Sequence, residues 1–242
     1  MASATGIPQH VPSNDQEDTE PLLGRPGDAT QADEAPIAKN LIIGTGVLAE
    51  ASAVLLLASV WAAVFISKPP VLFAIHPLAQ SLGLAVLIQS ILILQPTHTA
   101  SQKQLGQKVH AGLNLTALIC FIAGVTSIEV NKSKNNLAHF HSVHAYLGVI
   151  ASVWQVLQYL VGFTMYAIPQ VYGGEANAKK IWKYHRASGY GLLSLYAAAV
   201  ISATQTDYVL NVIGVKLWAT IVVVLLLAVG VFPRIKKHKL GL

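Results

Sequence analysis

The chain has 242 residues, of which 53% are hydrophobic and 11% charged, with a mean hydropathy of +0.53. A soluble domain carries about a quarter charged residues, so this composition excludes an ordinary water-soluble globule. Seven of the 11 acidic residues (Asp15, Glu17, Asp18, Glu20, Asp28, Asp33 and Glu34) fall in the first 40 positions, which leaves four acidic residues against 14 Lys and Arg in the remainder. A pI near 9.3 raises the idea of nucleic acid, but nucleic-acid binding needs basic residues gathered on a soluble face. Here they lie between long apolar runs, and no nucleic-acid partner is expected. Cys120, the only cysteine, sits inside one such run, which excludes an internal disulfide and a Cys-based metal centre.

Residues 1–40 are rich in Pro, Gly, Asp, Glu, Gln, Ser and Thr and lack the sustained apolar periodicity that offsets the entropy of folding. They read as a disordered acidic cytosolic tail. No basic n-region with a leading apolar h-region opens the chain, so a cleaved secretory signal is not expected. Within the tail, Asp18-Thr19-Glu20-Pro21-Leu22-Leu23 resembles the acidic dileucine signals that sort membrane proteins to lysosomes or vacuoles.

Six apolar stretches follow, at about 41–66, 71–94, 110–130, 143–166, 185–206 and 212–232. Each has the roughly 20 residues that carry a helix across ~30 Å of hydrocarbon, and alternating barrel-type strands are absent. Breaks fall at Pro69-Pro70, Gln95-Pro96, Asn131 to Asn136, Pro169 to Lys183 and Thr206 to Asn211. Residues 233–242 form a basic C-terminal tail. Loops rich in Lys and Arg stay on the cytoplasmic side. Six spans with the N-terminus inside place 12 basic residues in the cytosolic segments and four (Lys68, Lys132, Lys134 and Lys216) opposite. Both termini are therefore expected in the cytosol. Glu50, in the first span, is read as interfacial and has no assigned role.

Ionisable side chains inside spans are costly and usually functional, and four histidines open consecutive spans: His76, His110, His144 and His185. Antiparallel topology gives His76 and His144 one depth near the outer face, and His110 and His185 another near the inner face. Two imidazoles on parallel helices can approach a common centre. Without a carboxylate or thiolate they do not complete a structural zinc site, but they suit the axial positions of a haem. No Cys-x-x-Cys-His motif is present, so the haem would be non-covalent, of b type. Two axial ligands leave iron no open position, which favours electron transfer. His10, His98 and His238 lie outside the spans and are poor ligands. His141 lies three residues before His144 and is an alternative ligand if that helix starts early.

The chain resembles the cytochrome b561 family over about residues 41–232. The motifs are His76-Pro77, Lys108-x-His110-Ala111-Gly112-Leu113, Ser142-Val143-His144 with Tyr146 and Gly148, and Tyr184-His185-x-Ala187-Ser188-Gly189. The last motif and the short loops are closest to the small stand-alone subgroup. The resemblance implies an all-α membrane protein of six transmembrane helices, its central four-helix bundle holding two haem b groups. Four histidines would ligate them: His76 with His144, and His110 with His185. Electrons would pass from cytosolic ascorbate to monodehydroascorbate or a ferric chelate across the membrane, in a homodimer; the dileucine-like segment favours a vacuolar, lysosomal or other endomembrane, with the plasma membrane as the alternative.

An anionic donor is drawn to positive charge, and Lys103, Lys108, Lys183 and Arg186 flank the inner pair; by resemblance Lys108 is the foremost ascorbate contact. The simpler reading of these residues is orientation by the positive-inside rule. His139 and His141, with Lys132 and Lys134, are the matching candidates for the acceptor on the outer face. One departure stands out: the inner end of the second span, Leu92 to His98, carries no Arg, where family members specific for ascorbate have a basic stretch. The alternative function is a His-dependent metal or proton transporter without haem. A third is a scaffold with packing histidines.

Overall fold

The computed structural model describes residues 27 and 29–241. The dileucine-like segment Asp18 to Leu23, and His10, lie outside the described residues. Six long helices make up the body: α1 (Gly46–Ser67), α2 (Val71–Leu94), α3 (Ala100–Lys134), α4 (Val143–Ala167), α5 (Glu175–Ala203) and α6 (Leu217–Val231). There is no strand among the described residues.

Local chemistry fixes the helix ends. α1 stops at Lys68, whose φ of 46° breaks the helix ahead of Pro69-Pro70, since proline cannot continue one. α3 opens with a reciprocal Thr99–Gln102 capping box, which satisfies two orphan amides at once. At the start of α4, the Ser142 hydroxyl accepts from the Ala145 amide at 3.2 Å. Gly173 and Gly174, at φ of 78° and 106°, turn the chain into α5, a conformation that side-chain-bearing residues rarely adopt.

α2 packs chiefly on α3, α4 on α5, and α1 on α6 and α2. Consecutive helices run antiparallel, so both chain ends meet on one face, here called the terminal face; the opposite one is the far face. In lipid, helices associate through close packing of small residues, and α1 and α6 do so. A Cβ on Gly230 would lie 2.3 Å from the Ala49 backbone nitrogen, and Ser52 and Thr45 donate to the Val223 and Gly230 carbonyls at 2.8 and 3.0 Å. Gly230→Ala is expected to push the two helices apart, with an overpacking cost of about 1–3 kcal/mol; a lowered thermal midpoint in detergent is the check.

The helices differ from the six expected spans in instructive ways. α1, α2, α3, α4 and the stretch Leu217–Arg234 are long and apolar enough to cross a membrane. α5 is 29 residues long, but Arg186, Ser188, Tyr190, Ser194 and Ser202 dilute its apolar run, so among the described helices five rather than six meet the criterion. α3 and α5 each begin ten residues before the expected span, at Ala100 and Glu175. Lys, Gln and Glu form helix about as readily as Leu does, and an apolar-run criterion misses such extensions.

The tail expected to be disordered through residue 40 is also ordered in its described part. Gln31 and Asn40 are buried, Asn40 Nδ2 donates to Gln31 Oε1 and to the Ile93 carbonyl at 2.9 and 2.8 Å, and the Gly27 amide donates to the Pro233 carbonyl at 2.7 Å. Arg234, in the basic C-terminal tail, is 2% exposed and donates to the Asn40 and Leu92 carbonyls at 2.6 and 3.3 Å. Segments before α1 and after α6 thus lock together over the end of α2, with Nη2 of the buried guanidinium bound to one carbonyl of the first segment and one of α2.

Candidate functional site

His76 on α2 and His144 on α4 face one another near the far face, with ring centroids 6.0 Å apart and planes at 80°. His76 Nδ1 lies 3.0 Å from the Gly124 carbonyl, and His144 Nδ1 lies 2.9 Å from the Ala199 carbonyl. On the other side of the bundle, His110 Nδ1 lies 2.8 Å from the Ser90 carbonyl. A carbonyl oxygen only accepts, so Nδ1 carries the proton in each case and Nε2 keeps its lone pair. This is the way metal-binding imidazoles are held and oriented.

The anchors follow a rule. Ser90 comes 14 residues after His76, Gly124 14 after His110, and Ala199 14 after His185. In each antiparallel pair, one helix brings its histidine to the level of the other helix's anchor carbonyl. Fourteen residues of helix span about 21 Å, which sets the axial separation of the two histidine levels.

His185 breaks the pattern. Its buried Nδ1 has no hydrogen-bond partner among the described residues. Gln158, 14 residues after His144, instead donates its side-chain amide to the His185 carbonyl at 2.7 Å. Ser188 holds that amide through Gln158 Oε1 at 2.9 Å, and Trp154 donates to Ser188 at 2.8 Å. The His185 ring lies against Gly162, where a Cβ would come within 2.8 Å of Cε1. His110 is close enough to His185 to interact with it electrostatically.

Between the helices, a cleft of about 1700 Å³ runs in from the far face and is lined by His76, His144, Gln80, Phe121, Ser152 and Tyr196 among others. Ordinary small-molecule pockets run to roughly 300–1,000 Å³, so the space suits a large flat group. Imidazole nitrogens bind first-row metals at about 2 Å, and His76 and His144, with ring centroids 6.0 Å apart, are close enough that both would hold one such ion. No cluster of three or more His, Cys, Asp or Glu suited to a metal ion occurs among the described residues.

The other expected site residues are spread over both faces. His141 precedes α4, which starts at Val143, so it does not share a helical face with His144, and His144 is the residue brought to His76. His141 borders the cleft mouth, whereas His139 is exposed and paired with Glu129 at 2.7 Å. Lys103, Lys108 and Lys183 are exposed. Arg186 is half-buried and donates to the Lys239 carbonyl, and Lys239 Nζ in turn donates to the Thr97 carbonyl at 3.0 Å. Burial, together with Lys236, Arg186 and Lys103 nearby, holds the Lys239 ammonium down at about 8.

Sequence reasoning missed Lys239 and Arg234; both read as orientation charges, and nothing in their local sequence marks them as folding back. Arg234 thus places a buried guanidinium on the Leu92 carbonyl at the end of α2. Glu50 Oε2 accepts from Gln89 at 2.9 Å, which ties it to the residue beside the Ser90 anchor.

These features define an all-α, multi-pass integral membrane protein with paired histidines between its helices. A family model described as eukaryotic cytochrome b561 matches residues 75–210, a stretch that contains all four histidines. The chain belongs to the cytochrome b561 family. It is 29% identical over 134 residues to transmembrane ascorbate ferrireductase 2 of Arabidopsis thaliana, covering 55% of each chain. It is 26% identical over 133 residues to the lysosomal membrane ascorbate-dependent ferrireductase of Mus musculus, covering 54% of each. To the plasma membrane ascorbate-dependent reductase of Mus musculus it is 31% identical over 97 residues, covering 39% of this chain and 33% of that one. The chain thus spans about half the length, or less, of these curated relatives.

Proposed function

We propose that the protein is a di-haem b transmembrane oxidoreductase that takes electrons from cytosolic ascorbate and delivers them across the membrane to monodehydroascorbate or ferric iron. The carrying observation is the approach of His76 and His144 to 6.0 Å with both Nδ1 atoms tied to carbonyls and both Nε2 atoms free to ligate. Haem b between two imidazoles supplies one-electron transfer at an iron with no open coordination position. His76 and His144 would hold one haem, His110 and His185 the other. The names of the relatives support ascorbate and ferric iron as reaction partners.

The chain's own residues do the rest. The carbonyls of Gly124, Ala199 and Ser90 fix three rings in the ligating tautomer. Leu84, Ile88, Leu192 and Leu193 keep water out of the space between the levels. On the terminal face, read as cytosolic, Lys103, Arg186 and Lys239 gather positive charge, so they would draw in a monoanionic donor, with Lys108 and Lys183 exposed at the same end. On the far face, His141 and Lys132 border the approach to His144, and His139 and Lys134 are exposed on the same side. The domain limits 41–232, the endomembrane location and the homodimer belong to the same reading.

Purified protein is expected to be coloured and to give a reduced-minus-oxidised b-type spectrum on adding ascorbate. A colourless preparation that yields no haem to acid acetone contradicts the reading, and metal or proton flux by such a preparation would establish the transporter instead. The ascorbate step carries a pH signature. Lys239 is charged below about 8 and neutral above it, so the initial rate at sub-saturating ascorbate is expected to fall as pH rises from 7 to 9, with the decline reduced in Lys239→Gln.

A further inference from the structure

Between the two histidine levels most buried side chains are small or aliphatic; Gln155 brings a buried amide, and two residues are aromatic. Among the described hydrophobic residues, Phe121 (3% exposed) and Tyr196 (7%) are the two buried aromatics. Their rings are stacked, centroids 4.7 Å apart and planes at 17°. Both come 11 residues after a histidine of the inner level, His110 and His185, or about 16 Å along their helices. Both sit one turn before an outer anchor, Gly124 and Ala199, and both line the cleft below His76 and His144. Helical side chains lean toward the N-terminus, which for α3 and α5 is the inner end, so the rings project into the gap between levels.

Two further observations show that the stack is built in. Gly83 of α2 makes room for Phe121, since a Cβ there would lie 2.8 Å from Cε1. The Tyr196 hydroxyl is buried without a hydrogen-bond partner, an arrangement that costs free energy and gains nothing for packing that phenylalanine would not supply.

We propose that the stacked Phe121–Tyr196 pair electronically couples the two histidine levels, carrying one electron from the inner haem, which is oxidised, to the outer haem, which is reduced. Coupling decays steeply across saturated side chains, and the two rings, side by side at one height between the levels, replace part of that saturated gap with conjugated groups. This inference rests on the di-haem reading. Tyr196 and Phe121 are positioning residues: they ligate neither iron and touch no substrate.

The test compares Phe121→Leu, Phe121→Met, Tyr196→Leu and Tyr196→Phe in the haem-loaded full chain. Haem per chain, the two midpoint potentials and inter-haem electron equilibration after flash photolysis of the half-reduced protein are measured. Near-ultraviolet circular dichroism of haem-free protein reports the ring stack independently. The proposal expects an inter-haem step in the three aliphatic variants that is several-fold slower than their measured potentials account for, and a retained rate in Tyr196→Phe. An unchanged rate in Phe121→Leu or Phe121→Met overturns the proposal. Loss of the outer haem in both Phe121 variants also overturns it, because the ring would then be packing that site. Absence of haem from the unsubstituted chain defeats the di-haem reading instead.

Discussion

His110→Ala and His185→Ala are each expected to remove one haem of two and to abolish reduction of the remaining one by ascorbate, whereas His76→Ala and His144→Ala remove the other haem and leave ascorbate oxidation intact at its first step. The asymmetry follows from placement. His76 and His144 form one pair on the far-face side, 6.0 Å apart, and His110 is anchored to Ser90 a further 14 residues down α2. About 21 Å of helix separates these levels, so loss of a ligand at one does not reach the other through direct contact. Haem content and difference spectra of the four variants check this, and equal loss of all haem in each would argue against two independent sites.

Gly162→Ala is expected to empty the inner site selectively without unfolding the protein. The added methyl would lie 2.8 Å from His185 Cε1, the carbon between the two ring nitrogens, so the ring must turn. His185 alone lacks a carbonyl on Nδ1 to hold it, and turning it costs little except its aim. Losing the contacts that orient a metal-binding imidazole typically costs 10–100-fold in affinity, and a comparable fall in inner haem retention is the expected scale. Gly124→Ala provides the contrast. Its methyl meets Gln80 Nε2, the end of a flexible side chain, which can swing away at the expense of one hydrogen bond to the Phe121 carbonyl at 3.0 Å. Haem retention by gel filtration, with thermal melting as the folding control, separates the two variants.

The four histidines stood out in the sequence because ionisable groups are rare in apolar spans and because these recur once per span. Their pairing by depth followed from antiparallel topology, and His76 with His144 is the instance whose distance is seen directly. Their anchors could not be read in advance, since Gly124, Ser90 and Ala199 contribute backbone carbonyls that any residue possesses; only the constant 14-residue offset, visible after folding, marks them. Arg234 and Lys239 were obscured for a different reason. A basic residue beyond the last span satisfies the positive-inside rule whether it points into water or folds back onto Leu92 and Thr97, and composition does not separate the two outcomes. The packing of Gln31 and Asn40 was equally hidden, because short polar residues before a helix look the same free or docked. Phe121 and Tyr196 were missed because an aromatic in an apolar helix carries no marker of its neighbour across the bundle.

The central claim is that two pairs of imidazoles each clasp one haem, and the most direct measurement is haem per polypeptide, by pyridine haemochrome against quantitative amino-acid analysis, in protein purified from haem-sufficient cells. Two haems per chain, with one remaining after any single histidine replacement, is the expected result. A folded helical protein that carries none, or whose haem content is indifferent to replacing His76, His110, His144 and His185, would contradict it.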